Sequence, residues 1–369
     1  MSEAVRKQDL ILYVGCYTHE SREGIQVYRF NPSERTFQKI QSVEDLPNPS
    51  FLTFSADGKR LYAVLETEES DGVPGGSACA FAIDPASGKL TLLNRENTGA
   101  AGPCHISLAP NGEYAYVANY VGEAVSLFSV EQDGRLSPVC DIDKHEGSGP
   151  NQERQGEPHP HSVTPDPSGR FAVNADLGID RLIIYRVEKT TEGEKPRLVR
   201  HGETELPPGD GPRHMVFHPT EPYAYVANEL NSTVTVLAFD RAKGSLTPLA
   251  SVSTLPAPDR WNNTVAEIAI SADGRFLYTS NRGHDSIAVF AVQEAGRRIE
   301  PAGHYSTGGS WPRHFTLTPD GSGLLVANQF TGNITVFRVD PDTGALQDAG
   351  VSLSVSEPVC LRFWQNPAN

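Results

Sequence analysis

A repeat constrains this sequence more than any other feature. Six turn markers, Asp57-Gly58, Asn111-Gly112, Ser168-Gly169, Thr220-Glu221, Asp273-Gly274 and Asp320-Gly321, follow one another at intervals of 54, 57, 52, 53 and 47 residues. Each lies between stretches of alternating apolar residues, the signature of a tight hairpin. A module of second and third strands starts seven times, at Leu12, Leu61, Ala115, Phe171, Ala224, Leu277 and Leu324. A first-strand module, proline followed by alternating apolar residues, starts at Pro49, Pro103, Pro160, Pro212, Pro312 and Pro358, with Val265 in the proline position of the remaining copy. The two series are out of phase. The chain opens on a second strand and closes on an unpartnered first strand, Pro358 to Phe363, so its ends must meet to complete one unit.

Repeated four-stranded units of about 50 residues whose termini share one unit are how a β-propeller closes and hides its sheet edges. The expectation is an all-β chain: a seven-bladed β-propeller with four antiparallel strands per blade and one blade completed by both termini, spanning 1–369 as a single domain. A two-sheet sandwich would use the same hairpins but needs no seven equal units. A linear solenoid would carry capping repeats. The 33 Gly and 28 Pro fit a turn-rich fold, and 38% hydrophobic residues supply a core that a disordered chain would lack.

Charge and cysteine content narrow the partners. A formal net charge of −15 argues against nucleic acid and against an anionic membrane surface, both of which reward clustered Lys and Arg. Cys16, Cys79, Cys104, Cys140 and Cys360 are odd in number and contain no Cys-x-x-Cys pair, so neither a disulfide framework nor a thiolate zinc site is indicated. The apolar run Leu10 to Val14 is too short for a signal segment, and no stretch approaches the ~20 apolar residues that span a bilayer. A cytoplasmic protein is expected, and a monomer is compatible with all of this.

Counting from each turn glycine superposes the blades. The positions eight before the turn are Ser50, Cys104, His161, Arg213, Ala266 and Arg313, with Val359 in the closing blade. The positions eight after it are Glu66, Tyr120, Leu177, Glu229, Arg282 and Gln329, with Tyr17 matching in the first module. First strands line the channel of a propeller, so both sets should ring one mouth. Their neighbours His105, His214, Glu267 and His314 fall on the opposite strand face by alternation and are expected between blades. Arg213 and Glu229 face each other across one hairpin, which an ion pair serving only the fold would also explain. Arg282 and Arg313 leave positive charge that Glu229 cannot neutralise alone, a composition suited to clamping a carboxylate or phosphate. His161 follows a Gly/Pro-rich insertion, His145 to Pro158, that contains Arg154 and could fold over the mouth. An imidazole there suits a general base, although a structural histidine is the plain alternative. His159 and His161 lack the further ligands a zinc site needs, no Gly-x-Ser-x-Gly elbow is present, and no phosphate-cradling glycine loop implies a nucleotide. Neither a metal nor a cofactor is expected.

Pro158-His-Pro-His-Ser162, Gly211-Pro-Arg-His214, Asn228-Glu229 and Asn281-Arg-Gly-His-Asp-Ser286, in that order, resemble the seven-bladed lactonase family, which includes propeller-type 6-phosphogluconolactonases and a fungal muconate lactonizing enzyme. The resemblance covers nearly the whole chain and implies that His161, Arg213, Glu229 and Arg282 act in catalysis. Arg313, Arg154, His159 and Gln329 are expected to bind substrate. The implied reaction is hydrolysis of a small anionic lactone, first 6-phospho-D-glucono-1,5-lactone, with His161 taking a proton from water and Glu229 orienting that water or protonating the leaving oxygen. Two rivals stand beside it: reversible lactonization of a muconate-type diacid, and a non-catalytic interaction propeller.

Overall fold

The computed structural model describes residues 9–189, 194–257 and 262–365. Seven four-stranded antiparallel sheets form the blades. Blade 1 joins Leu10–Cys16, Glu23–Asn31 and Thr36–Glu44 to the last strand, Pro358–Trp364, which takes the innermost place beside Leu10–Cys16. Blades 2 to 7 then follow in chain order, with first strands Phe51–Phe54, Pro103–Leu108, Pro160–Pro165, Pro212–Phe217, Thr264–Ile270 and Pro312–Leu317. Neighbouring first strands touch all the way round, and Pro358–Trp364 closes the ring between blades 7 and 2. Both termini therefore complete one blade, as the phase of the repeats requires.

Second strands such as Arg60–Leu65 and Tyr223–Asn228 are buried beyond their first residue, because neighbouring blades cover both faces. Fourth strands such as Ser245–Ser253 are mostly exposed. The apolar clusters bridge adjacent blades; one unites Phe171, Val173 and Ile184 of blade 4 with Val226, Leu237 and Phe239 of blade 5. A recurrent staple reinforces this packing. The hydroxyls of Tyr62, Tyr225 and Tyr278 donate to the carbonyls of Gly134, Gly296 and Gly344 in the following blade, at 2.9, 2.8 and 3.2 Å. Each buried phenol thus keeps a hydrogen bond while its ring fills the gap between blades.

The marker turns are wider than two-residue hairpins. In blade 2, Phe54 pairs with Leu61, and the loop between is closed by Ser55 N to Arg60 O at 3.0 Å. Gly58 adopts φ 65°, a left-handed conformation that costs glycine no Cβ clash.

One irregularity positions the site. In blades 3 to 7 the pairing of first and second strand slips by one residue just after the opening position, between Pro103 and His105, Pro160 and Ser162, Pro212 and Met215, Val265 and Ile268, and Pro312 and His314. The closing strand slips likewise at Val359. Such β-bulges insert one unpaired residue and re-aim side chains. The extra residue is Cys104 in blade 3, His161 in blade 4 and Arg313 in blade 7, members of the ring predicted from the turn count. The bulge also breaks strict alternation. His105, His214, Glu267 and His314 therefore face the central channel, where they line a cavity of about 300 Å³ with Phe51 and Arg362. The expectation that they pack between blades is corrected: alternation holds only where pairing is regular.

Candidate active site

Glu229 directly follows the second strand of blade 5, Tyr223–Asn228, and its backbone N–H bonds to Gly211 O at 2.7 Å, holding it over the start of the first strand. Its carboxylate is buried, 3% exposed, and gathers three guanidinium groups. Arg154 Nη2 lies 2.6 Å from Oε1, while Arg282 Nη2 and Arg213 Nε lie 2.8 and 3.0 Å from Oε2. His161 Nε2 is 3.9 Å from the same Oε2. The four residues expected to act in catalysis thus meet at one carboxylate, and the insertion brings Arg154 to it as a fifth.

Burial alone would raise the Glu229 pKa, but Arg282, Arg213 and Arg154 outweigh it and hold the carboxyl far below the usual range. A carboxyl held ionised in this way suits orienting the attacking water better than protonating the leaving oxygen, the other role expected of it. Burial pulls Arg282 down to about 10, which leaves it charged at neutral pH. Burial, then the charges of Arg213 and its neighbours, push His161 well below its ordinary value, so its ring is neutral and able to accept a proton.

Arg313 is stacked on Tyr17, 5.3 Å from the ring centroid. The Tyr17 hydroxyl donates to Glu66, 3.1 Å from either oxygen. Four guanidinium groups, of Arg154, Arg213, Arg282 and Arg313, face two carboxylates, Glu229 and Glu66, which leaves two positive charges in excess. Buried polar atoms also stand unpaired at this mouth: Arg213 Nε and Glu229 Oε2 are close but poorly aligned for a hydrogen bond, and Arg282 Nε and Gln329 Oε1 have no partner. Burying such groups is costly unless something pairs with them.

His159 and Gln329 occupy the rim in different ways. The His159 ring stacks on Tyr120 at 4.2 Å, and its Nδ1 lies 3.0 Å from Tyr120 O. Gln329 bonds through its backbone N–H to Trp311 O at 3.0 Å, beside the tryptophan that covers Arg282. Two aromatic residues complete the wall: Tyr120, which the turn count places in the outer ring, and Trp311, which it does not. Tyr120 touches His161 edge-on at 5.3 Å and accepts from Arg154 Nη2 at 3.4 Å. Trp311 holds φ 64°, its N–H bonded to Asp285 Oδ1 at 2.8 Å, and its ring lies 5.3 Å from the Arg282 guanidinium. A left-handed tryptophan before proline costs free energy and is a structural sign of a constrained site. The aromatic residue preceding Pro312 was the available signal.

Cys104 Sγ lies 3.8 Å from His161 Nδ1, a superficial Cys/His pair. Burial, followed by the Glu66 charge, pushes the thiol up, so it remains protonated and a poor nucleophile. Among the described residues no three His, Cys, Asp or Glu side chains converge in an arrangement that could hold a metal ion.

Comparison with known proteins places this architecture. Residues 11–363 match the model of the family described as "Lactonase, 7-bladed beta-propeller". A 6-phosphogluconolactonase of Bacillus subtilis is 36% identical over 352 residues, covering 95% of this chain and 97% of the relative. A crystal structure of a putative 6-phosphogluconolactonase from Bacteroides fragilis superposes with a TM-score of 0.89 at 34% identity, covering 98% of this chain and 99% of that one. The periplasmic gluconolactonase of Pseudomonas aeruginosa does so with a TM-score of 0.89 at 34% identity, covering 98% and 100%. The chain described here belongs to the seven-bladed β-propeller lactonase family.

Proposed function

We propose that this protein hydrolyses a sugar δ-lactone, 6-phospho-D-glucono-1,5-lactone in preference to its unphosphorylated counterpart, by metal-independent general acid/base catalysis. The observation that carries this reading is a neutral imidazole beside a fixed carboxylate and an excess of guanidinium charge at one mouth. His161 takes a proton from water as the water oxygen bonds to the lactone carbonyl carbon. Arg213 and Arg282 stabilise the negative charge that develops on the carbonyl oxygen, since forked donors in a dry site suit an oxyanion. When the tetrahedral intermediate collapses, the bond from carbon to ring oxygen breaks and the His161 proton goes to that oxygen; the new carboxylic acid then ionises. Glu229 holds the guanidinium forks in place and balances the imidazolium that forms transiently.

Arg154 and Arg313 supply charge for the phosphate. A phosphoryl dianion matches the excess of two positive charges, which a neutral sugar lactone does not. The relatives divide on this point, since one is named a 6-phosphogluconolactonase and another a gluconolactonase. Turnover of 6-phosphoglucono-1,5-lactone, glucono-1,5-lactone and 3-carboxymuconate, with and without EDTA, tests the reading. Highest kcat/KM on the phosphorylated lactone, unchanged by chelator, is expected. Turnover of carboxymuconate alone would transfer the site to lactonizing chemistry, and no turnover of any of the three would favour an interaction propeller.

A further inference from the structure

Beneath the mouth, on the channel side of Arg213, lies a chain of polar groups that the reaction does not use directly. His214 Nδ1 is 3.0 Å from Glu267 Oε2, and His314 Nε2 is 3.2 Å from the same oxygen. His314 Nδ1 accepts the backbone N–H of Leu361 at 3.3 Å, which leaves the His314 proton on Nε2, facing Glu267. On the other side, His214 Nε2 is 3.3 Å from Arg213 Nη1, and the same Nη1 donates to Ala266 O at 2.8 Å. All of these side chains are buried.

The protons can be placed by donor and acceptor logic. A guanidinium nitrogen only donates, so His214 Nε2 must offer a lone pair to Arg213 and carry its proton on Nδ1. A carboxylate only accepts, so Glu267 stabilises that tautomer and excludes the other. Burial, then the Arg213 charge, hold His214 well below its ordinary value, in keeping with a neutral ring. Both hydrogens of Arg213 Nη1 are thus engaged from below, by Ala266 O and His214. Its Nε lies 3.0 Å from Glu229 Oε2 without the alignment of a hydrogen bond, and among the described residues Nη2 has no hydrogen-bond partner.

We infer that Glu267 is a positioning residue: by fixing the tautomer of His214 it locks the guanidinium plane of Arg213 and leaves Nη2 free for the substrate oxygen, with the Ile268 N–H holding the other Glu267 oxygen at 3.1 Å. This rests on the lactonase reading of the Arg213 site. The other Glu267 oxygen accepts the Ile268 N–H at 3.1 Å, so an amide at 267 must turn its N–H either to that N–H or to His214, and in the second orientation it would drive the His214 proton to Nε2, against Arg213.

The test is a double-mutant cycle on lactone turnover with wild type, Glu267→Gln, Arg213→Ala and the double variant, with His161→Ala as a control for the site itself. Glu267→Gln is expected to lower kcat about 10-fold with KM changed less than about twofold, since small displacements of a catalytic group cost roughly this much or more. In the Arg213→Ala background the same change should have almost no effect, because coupled residues are non-additive. An equal fall in both backgrounds, or no fall in wild type, would overturn the inference. If Glu267→Gln does not fold, His214→Ala and His214→Gln replace it. The alanine should lose activity and the glutamine, whose amide oxygen can accept from Arg213, should restore part of it; equal loss in both would overturn the inference. Full activity of His161→Ala would instead reject the lactonase reading, a separable outcome.

Discussion

At the scale of single residues, the site works by assigning opposite tasks to two neighbouring groups. Glu229 and His161 are 3.9 Å apart, yet three guanidinium groups keep the first permanently ionised while burial and positive neighbours keep the second neutral. A base whose pKa is depressed keeps its active, unprotonated form to lower pH than a free imidazole. The expected consequence is a kcat/KM that stays level from about pH 8 down through the ordinary histidine value of about 6.5. A pH-rate profile checks this directly, and a descending limb centred near 6.5 would show that His161 is not desolvated as described. The pairing has a cost: a buried imidazole is a weaker base than a solvated one, so the proposed hydrolysis leans on oxyanion stabilisation by Arg213 and Arg282.

At the scale of elements, bulges and one insertion assemble what the sheets alone would not. The insertion is anchored at both ends by Asp176. Its Oδ2 is 2.6 Å from His145 Nδ1, and its Oδ1 accepts the N–H groups of His159 at 2.7 Å and Gly178 at 2.9 Å. Gly178 lies so close beneath the insertion that a Cβ there would fall 2.0 Å from Glu157 O and 2.7 Å from His159 N. Gly178→Ala is therefore expected to push the insertion outward and unseat Arg154 from Glu229. A fall of about 10-fold in kcat/KM is predicted from misplacement on this scale, read from steady-state kinetics beside a melting curve that shows the propeller still folded. The same elements show what a sequence makes legible. The ring of Cys104, His161, Arg213 and Arg313 could be found by counting from turn glycines, because a fixed offset survives a bulge that recurs in six of the seven blades. The facing of His105, His214, Glu267 and His314 could not, since a bulge leaves no residue signature and alternation then gives the wrong face. The reach of Arg154 to Glu229 depends on the path of an irregular loop, for which no periodicity exists. The charge state of Glu229 depends on three partners separated from it by up to 75 positions in the chain.

At the scale of the whole molecule, ring closure and buried charge set the conditions under which the protein persists. The last strand closes the ring beside the first, so the fold is completed only by its C-terminal segment, and Trp364 Nε1 secures it to Gly58 O of blade 2 at 2.7 Å. Along the channel, His105, His161, His214 and His314 are buried, and burial depresses each, His314 to about 3. The unfolded chain takes up protons at these histidines near pH 6.5, whereas the folded chain does not, so their contribution is fully present above about 6.5 and is lost as pH falls below it. Each histidine steepens the loss by up to about 1.4 kcal/mol per pH unit. Urea unfolding at pH 7.5, 6.0 and 5.0 should therefore show a midpoint that falls faster with acidity than one titrating histidine can explain; a constant midpoint would contradict the buried, neutral assignment.

The residues gathered at the bulged ends of the first strands are proposed to form a lactone-hydrolysing site. A pH-stat assay of 6-phosphoglucono-1,5-lactone hydrolysis at pH 7, corrected for spontaneous opening, compares wild type with His161→Ala. A loss of about 10²–10⁴ in kcat is predicted, the range associated with a general base. Undiminished hydrolysis by the variant, with its fold intact, would contradict the claim.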